Sequence, residues 1–201
     1  MSAYDFFGDT YETERLKTLS VWSLFRDEEM EFRPAPRMRT PHEQMVHQCV
    51  SEDLWMTKML DIPSGVSPLP AEETRLAFLR HYADASARRL HLLRRKPESW
   101  YLETTTFFDV ERTRGWVLLR RLTHSAHHRA QLTVYLRLLG RALYSTYGPT
   151  ADTGGLFQNQ ADVIYRYSSV EELLASEAAG GLFPPLPGPG AASPTERPAL
   201  S

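Results

Sequence analysis

The sequence predicts an all-α protein: a four-helix bundle, a short extra helix near the C-terminus and a Pro/Gly-rich disordered tail. Two observations predict it. Four long stretches repeat apolar residues at three- and four-residue steps, the helical period, and none shows a convincing strand alternation. The breaks between them fall on proline and glycine. Helices with one apolar stripe bury it most simply against one another. The domain organisation expected is a bundle over 1–178 and a tail over 179–201.

Composition narrows the function classes. The 201 residues are 42% hydrophobic, enough for a real core. A formal net charge of −2 argues against broad nucleic-acid binding. The single cysteine, Cys49, allows no internal disulfide, which suits a reducing cytosol. The N-terminal MSAYDFFGDTYETER has no basic region followed by an apolar run, and no apolar stretch reaches the length of a membrane span. A cytoplasmic protein that binds neither membrane nor nucleic acid is expected.

The first helix is expected over Thr10 to Glu29, on a stripe of Leu16, Leu19, Trp22 and Phe25, with RPAPRMR as a loop after it. The second opens at Thr40 as N-cap, with Pro41 at the first helical position and Glu43 completing a capping box, and runs to about Leu60. His47 lies on it, on a face shared with Val50 and Leu54, so it points partly inward. The third begins at Ala71-Glu72-Glu73 and ends in Arg94-Arg95-Lys96-Pro97. The stretch from Trp100 to Phe108 gives no clear signal. Asp109 is expected to cap the longest helix, about Val110 to Leu139, which Gly140 ends. Ser168 or Ser169 caps the last, about Val170 to Ala178.

The longest helix carries the chemistry. Leu118, Leu122, Ser125, Arg129, Leu132, Leu136 and Leu139 make its core seam, and His124 and His128 lie on the row beside it. Histidines at i and i+4 stack their imidazoles one turn apart and can grip one metal ion. His47 is the best third ligand, and three histidines leave a position open for water or substrate. His42, at a helix start, competes for that place but is expected to be solvated. His127 falls on another side, and His81 and His91 read as surface residues. Imidazole suits zinc, nickel, copper and iron. The pattern is no zincin, because Ser125 follows His124 where HExxH has glutamate. Glu52 and Asp53 are the nearest candidate bases and read as solvated carboxylates. Gln131 and Tyr135, one and two turns beyond His128, are candidate substrate-binding residues. Arg129, a charge in the core seam, is expected to pair with a buried carboxylate or to mark an opening to a dimer partner.

The stretch HSAHHRAQLTVYLRLLG at 124–140, YGPTAD at 147–152 and TPHEQMVHQCVSEDLWM at 40–56 resemble the DinB/YfiT-like family of damage-inducible bacterial proteins. The similarity runs from about Leu16 to Asp152. It implies a four-helix bundle, often a homodimer, with a divalent metal on three histidines, which by position are His47, His124 and His128. Zinc or nickel is the metal expected, with iron or manganese as alternatives. Some relatives transfer a low-molecular-weight thiol such as bacillithiol, and related proteins are mycothiol-dependent isomerases. The resemblance therefore implies a metal-dependent thiol S-transferase, with a small thiol and an electrophile as partners. The alternatives are a metal-dependent hydrolase and a non-catalytic metal-binding protein of the stress response.

Overall fold

A computed structural model describes residues 3–191, 193 and 195 of the chain. Helices dominate it: α1 (Phe6–Trp22), α2 (Pro41–Asp53), α3 (Arg75–Leu93), the short α4 (Glu98–Leu102), α5 (Arg114–Leu138) and α6 (Val170–Ala178). A small antiparallel hairpin, β1 (Thr104–Phe107) and β2 (Val110–Thr113), stands between α4 and α5. No described helix is long and apolar enough to cross a membrane. The chain forms two compact units, one ending at Leu132 and the other starting at Thr133.

In the first unit, α1, α2, α3 and the first part of α5 supply the bundle. α2 starts as its sequence requires. The Thr40 hydroxyl accepts from Glu43 N at 3.2 Å, the Glu43 carboxylate accepts from Thr40 N at 2.9 Å, and Pro41 follows the cap. Past Asp53 the helix widens into a π-helical turn, Leu54–Met59, before the chain leaves through Asp61 at φ 53°. The seam expected on α5 is real: Leu118, Leu122, Ser125, Arg129 and Leu132 are all buried. Phe7, Tyr11, Trp55, Met56, Leu60, Leu90, Leu93 and Val117 pack into the same core.

Boundaries depart from expectation where a local signal was misread. α1 begins and ends earlier than Thr10 and Glu29, and Asp27–Glu29 form a separate 3-10 turn. Thr74, not the Ala71 region, caps α3, its hydroxyl accepting from Ala77 N at 3.2 Å. Asp109 caps nothing. It lies in the hairpin turn beside Phe108, whose φ is 53°, and α5 begins four residues after Val110 at Arg114. β-branched residues at Thr104, Thr105, Thr106, Val110 and Thr113 favour the hairpin. It is pinned to the bundle by Thr105 Oγ1, which donates to Met59 O at 2.6 Å.

In the second unit, Ser169 caps α6 through Glu172 N at 3.1 Å. Arg166 and Glu177 form a buried ion pair at 2.8 Å, and Tyr167 donates to the same carboxylate at 2.6 Å. Asp152, in the YGPTAD segment, accepts from Leu143 N at 2.6 Å and pairs with Arg137. In the stretch expected as a tail, Leu182 O accepts from Arg166 Nε at 2.8 Å and Gly188 N donates to Asp152 O at 2.9 Å. Residues 192, 194 and 196–201 of that stretch lie outside the described residues.

Arg129 meets the carboxylate its seam position demands. Its Nη2 lies 2.6 Å from Glu14 Oε2, with both residues buried. Removing one partner of such a pair strands a buried charge, which typically costs about 3–5 kcal/mol. Arg129→Met should lower stability in urea by that order, and adding Glu14→Gln should recover part of the loss. A double variant no better than the single would show that the charge pairing is not what matters.

Candidate metal centre

Helices α2 and α5 bring three imidazoles to one point. His47 Nε2 lies 3.1 Å from His128 Nε2, and His128 Nε2 lies 3.2 Å from His124 Nε2. The ligating atoms of the three all fall within 4.8 Å of one another, and this is the group among the described residues that could hold a metal ion. A tetrahedral ion with bonds of about 2.05 Å to nitrogen sets its ligand nitrogens roughly 3.3 Å apart. The donor set and its spacing therefore fit a divalent ion bound by imidazole. His128 is buried, while His47 and His124 are half-exposed, so one side of the cluster faces outward.

The ring of His128 is held in the state a ligand needs. Two amide oxygens, Gln44 Oε1 at 2.9 Å and Gln131 Oε1 at 3.1 Å, face its Nδ1. Both are acceptors, so Nδ1 carries the proton and Nε2 presents a bare lone pair to the cluster. Gln44 Nε2 in turn donates to Gln131 Oε1 at 2.9 Å, and Gln131 Nε2 lies 3.0 Å from His127 Nε2. Gln131, expected at the substrate, thus has its amide committed to His128 and its neighbours. Tyr135, the other residue expected there, is buried.

His124 is held differently. Arg121 Nη1 lies 3.2 Å from its Nδ1 and 3.0 Å from Ser51 Oγ, and Nη2 reaches Ser125 Oγ at 3.0 Å. Guanidinium only donates, so Nδ1 of His124 accepts and the neutral ring carries its proton on Nε2, aimed at His128. A metal on His124 Nε2 requires Nη1 to give up Nδ1, and Ser51 stands ready as its other partner. Trp55 packs against the same ring, centroids 5.1 Å apart.

Arg121 is anchored by Glu52, a residue fully removed from solvent. Its carboxylate lies 3.5 Å from Arg121 Nη2 and 3.4 Å from Arg89 Nη1, and accepts from the Tyr82 hydroxyl at 2.8 Å and the Tyr11 hydroxyl at 2.5 Å. Burial, and then the Glu52 charge, push both phenols well above their usual range. Asp53 pairs with Arg89 at 2.8 Å. The expectation of solvated carboxylates at 52 and 53 is therefore corrected, since paired arginines stabilise a buried Glu52 that sequence spacing alone could not foresee.

Of the remaining histidines, His127 lies beside the cluster, its ring centroid 5.0 Å from that of His128, and the others find partners elsewhere or face solvent. His42 is half-buried against Glu73, 2.6 Å away, rather than solvated. His81 reaches Pro68 O at 3.1 Å, and His91 and His127 are exposed. Val50 and Leu54, taken as the inward face beside His47, are 42% and 43% exposed. The buried face of α2 runs instead through Gln44, Met45, Gln48, Cys49 and Glu52, and His47 sits at its edge. Cys49 lies in the core, and burial pushes its thiol up.

The sequence signature of the DinB family matches residues 8–160. The chain belongs to the DinB family. A crystal structure of a DinB-like protein from Bacillus cereus superposes with a TM-score of 0.62 over 70% of this chain and 95% of that one, at 17% identity. At that identity the likeness shows the shared helical fold. No curated protein matches the chain.

Burial lowers the basicity of all three rings of this DinB protein. Beyond burial, Arg39 and Arg121 depress His47, Arg121 leads the charges that bring His124 to about 3, and His47 leads those that bring His128 to about 4. An unfolded chain protonates these rings as the pH falls through about 6.5, while the folded chain holds them neutral. The metal-free protein should therefore lose stability from about pH 6.5 downward, the loss levelling off near pH 3. Urea midpoints at pH 8 and pH 5.5 should differ for the wild type and differ less for His124→Asn/His128→Asn. Equal differences would place the pH dependence elsewhere.

Gln44→Ala should weaken zinc binding by about 10- to 100-fold, the usual effect of removing a partner that orients a ligand. A competition titration with a chromogenic chelator would read it, and unchanged affinity would show that Gln44 does not orient His128.

Proposed function

We propose that His47, His124 and His128 hold a divalent ion, zinc or nickel, and that the protein transfers a low-molecular-weight thiol to an electrophile. The observation that carries this reading is the convergence of three imidazole nitrogens with one side of the cluster outward. Three protein ligands leave a coordination position, the arrangement of catalytic rather than closed structural sites. A free thiol titrates at about 8.5, and a divalent ion would stabilise its thiolate at neutral pH. In the transfer the thiol gives its proton to solvent, sulfur forms the new bond to carbon, and the leaving group departs with its electron pair. The chain's own contribution is orientation. Gln44 and Gln131 fix His128, Arg121 contacts His124, and the one cysteine is withdrawn into the core and offers no competing nucleophile.

The same geometry weighs against the hydrolase alternative. Water activation calls for a free carboxylate or another base beside the cluster. Glu52, the nearest candidate on α2, is sealed from solvent and held by two arginines and two tyrosines.

Protein purified without chelator should contain one divalent ion per chain, and His128→Ala should lose it. Thiol conjugation of an electrophile such as 1-chloro-2,4-dinitrobenzene should then depend on the ion and disappear in the variant. Wild-type protein that takes up neither zinc nor nickel would overturn the metal reading. Stoichiometric metal with no acceleration over any of a panel of thiols and electrophiles would favour a non-catalytic metal protein.

A further inference from the structure

A path of aromatic rings leads from the cluster to the hairpin. It starts on a ligand, where the Trp55 ring packs against His124 with centroids 5.1 Å apart. Phe107 meets Trp55 edge-on at 5.0 Å, and Phe108 meets it edge-on at 6.2 Å. Trp116 joins Phe107 at 5.2 Å. Trp55 is buried and Phe107 half-buried, but the far end of the path opens to solvent through Phe108, Val110 and Trp116. Beside it on α2, the row that holds His47 continues through Val50 and Leu54, which are exposed as well.

Phe108 is the residue that folding alone does not explain. It is the first residue of the two-residue turn between β1 and β2, and its φ is 53°. That left-handed backbone suits glycine or asparagine and strains a bulky side chain. Its ring is also 58% exposed, so its contacts with Trp55 and Phe107 leave most of its apolar surface in water. A glycine would close the same turn with neither cost. Backbone strain and an exposed ring, two contacts from a candidate metal ligand, point to a molecule that docks there.

We infer that the electrophile this site takes carries an aromatic ring, and that Phe108, backed by Trp55, is the face on which the ring docks. The inference rests on the metal and thiol reading and names the partner which that reading leaves open. Aromatic rings pack edge-on or offset on one another with a preference that a saturated ring of the same size does not match. Phe108 is thus a positioning residue: it holds the body of the electrophile while the cluster holds the thiol.

The test uses zinc-loaded full-length protein and two unreactive probes of like size, nitrobenzene and nitrocyclohexane. Calorimetric titration of the wild type should show nitrobenzene binding at least about threefold more tightly. Phe108→Gly should remove most of that preference, Phe108→Tyr should keep it, and zinc stoichiometry should stay the same in both. Because glycine relieves the turn, the urea midpoint of Phe108→Gly should equal or exceed that of the wild type. Equal binding of the two probes by the wild type would overturn the inference, as would a preference that survives Phe108→Gly undiminished. A urea midpoint that falls in Phe108→Gly would also overturn it, since the ring would then serve the fold. A wild-type protein that takes up no zinc would remove the metal reading, and this inference with it, and the zinc stoichiometry tells that failure from the others.

Discussion

Four helices meet at the carboxylate of Glu52. α2 carries it, α1 sends Tyr11, α3 sends Tyr82 and Arg89, and α5 sends Arg121. A lone buried carboxylate would be neutralised or expelled. Here two guanidinium groups and two phenols surround it, and the geometry they need fixes how the helices stand around one another. Arg121 then passes that order outward, because Nη1 of its fork contacts both His124 and Ser51 while Nη2 reaches Ser125. The three-histidine cluster is thus built on a polar core, and His124 on α5 is positioned from beneath.

The two faces of the cluster are organised by different means. His128 is fixed by neutral amides that select its proton position, whereas His124 is approached by a cation that can only donate. The first arrangement is ready for an ion. The second favours the metal-free ring and must rearrange by one hydrogen bond. As it stands the cluster is closed, its rings bonded to one another, and a common ion would replace those bonds.

Much of this was legible in the sequence, for physical reasons that also mark its limits. The i, i+4 spacing of His124 and His128 and the strong cap at Thr40 are local, and both survive into the structure. The seam on α5 was readable because five leucines repeat at helical steps. Gln44 and Arg121 were not readable as parts of the site. Gln44 meets His128 on another helix, 84 residues away, and Arg121 is tied to Ser51 and Glu52 on α2 as well as to His124 on its own helix; an amide or arginine on a helix gives no local sign of such cross-helix use. Glu52 was misread because burial of a charge depends on Arg89, 37 residues on. The hairpin was missed because four residues per strand are too few to show alternation, and the α5 pattern seemed to extend back through them.

The position of Cys49 has a consequence for durability. A thiolate on a protein's surface is open to alkylation and oxidation, and this chain has one cysteine. Its one sulfhydryl is packed in the core of α2, and burial suppresses the thiolate through which alkylation and oxidation proceed. The folded chain therefore presents no accessible thiol for disulfide cross-linking or for capping by a small thiol.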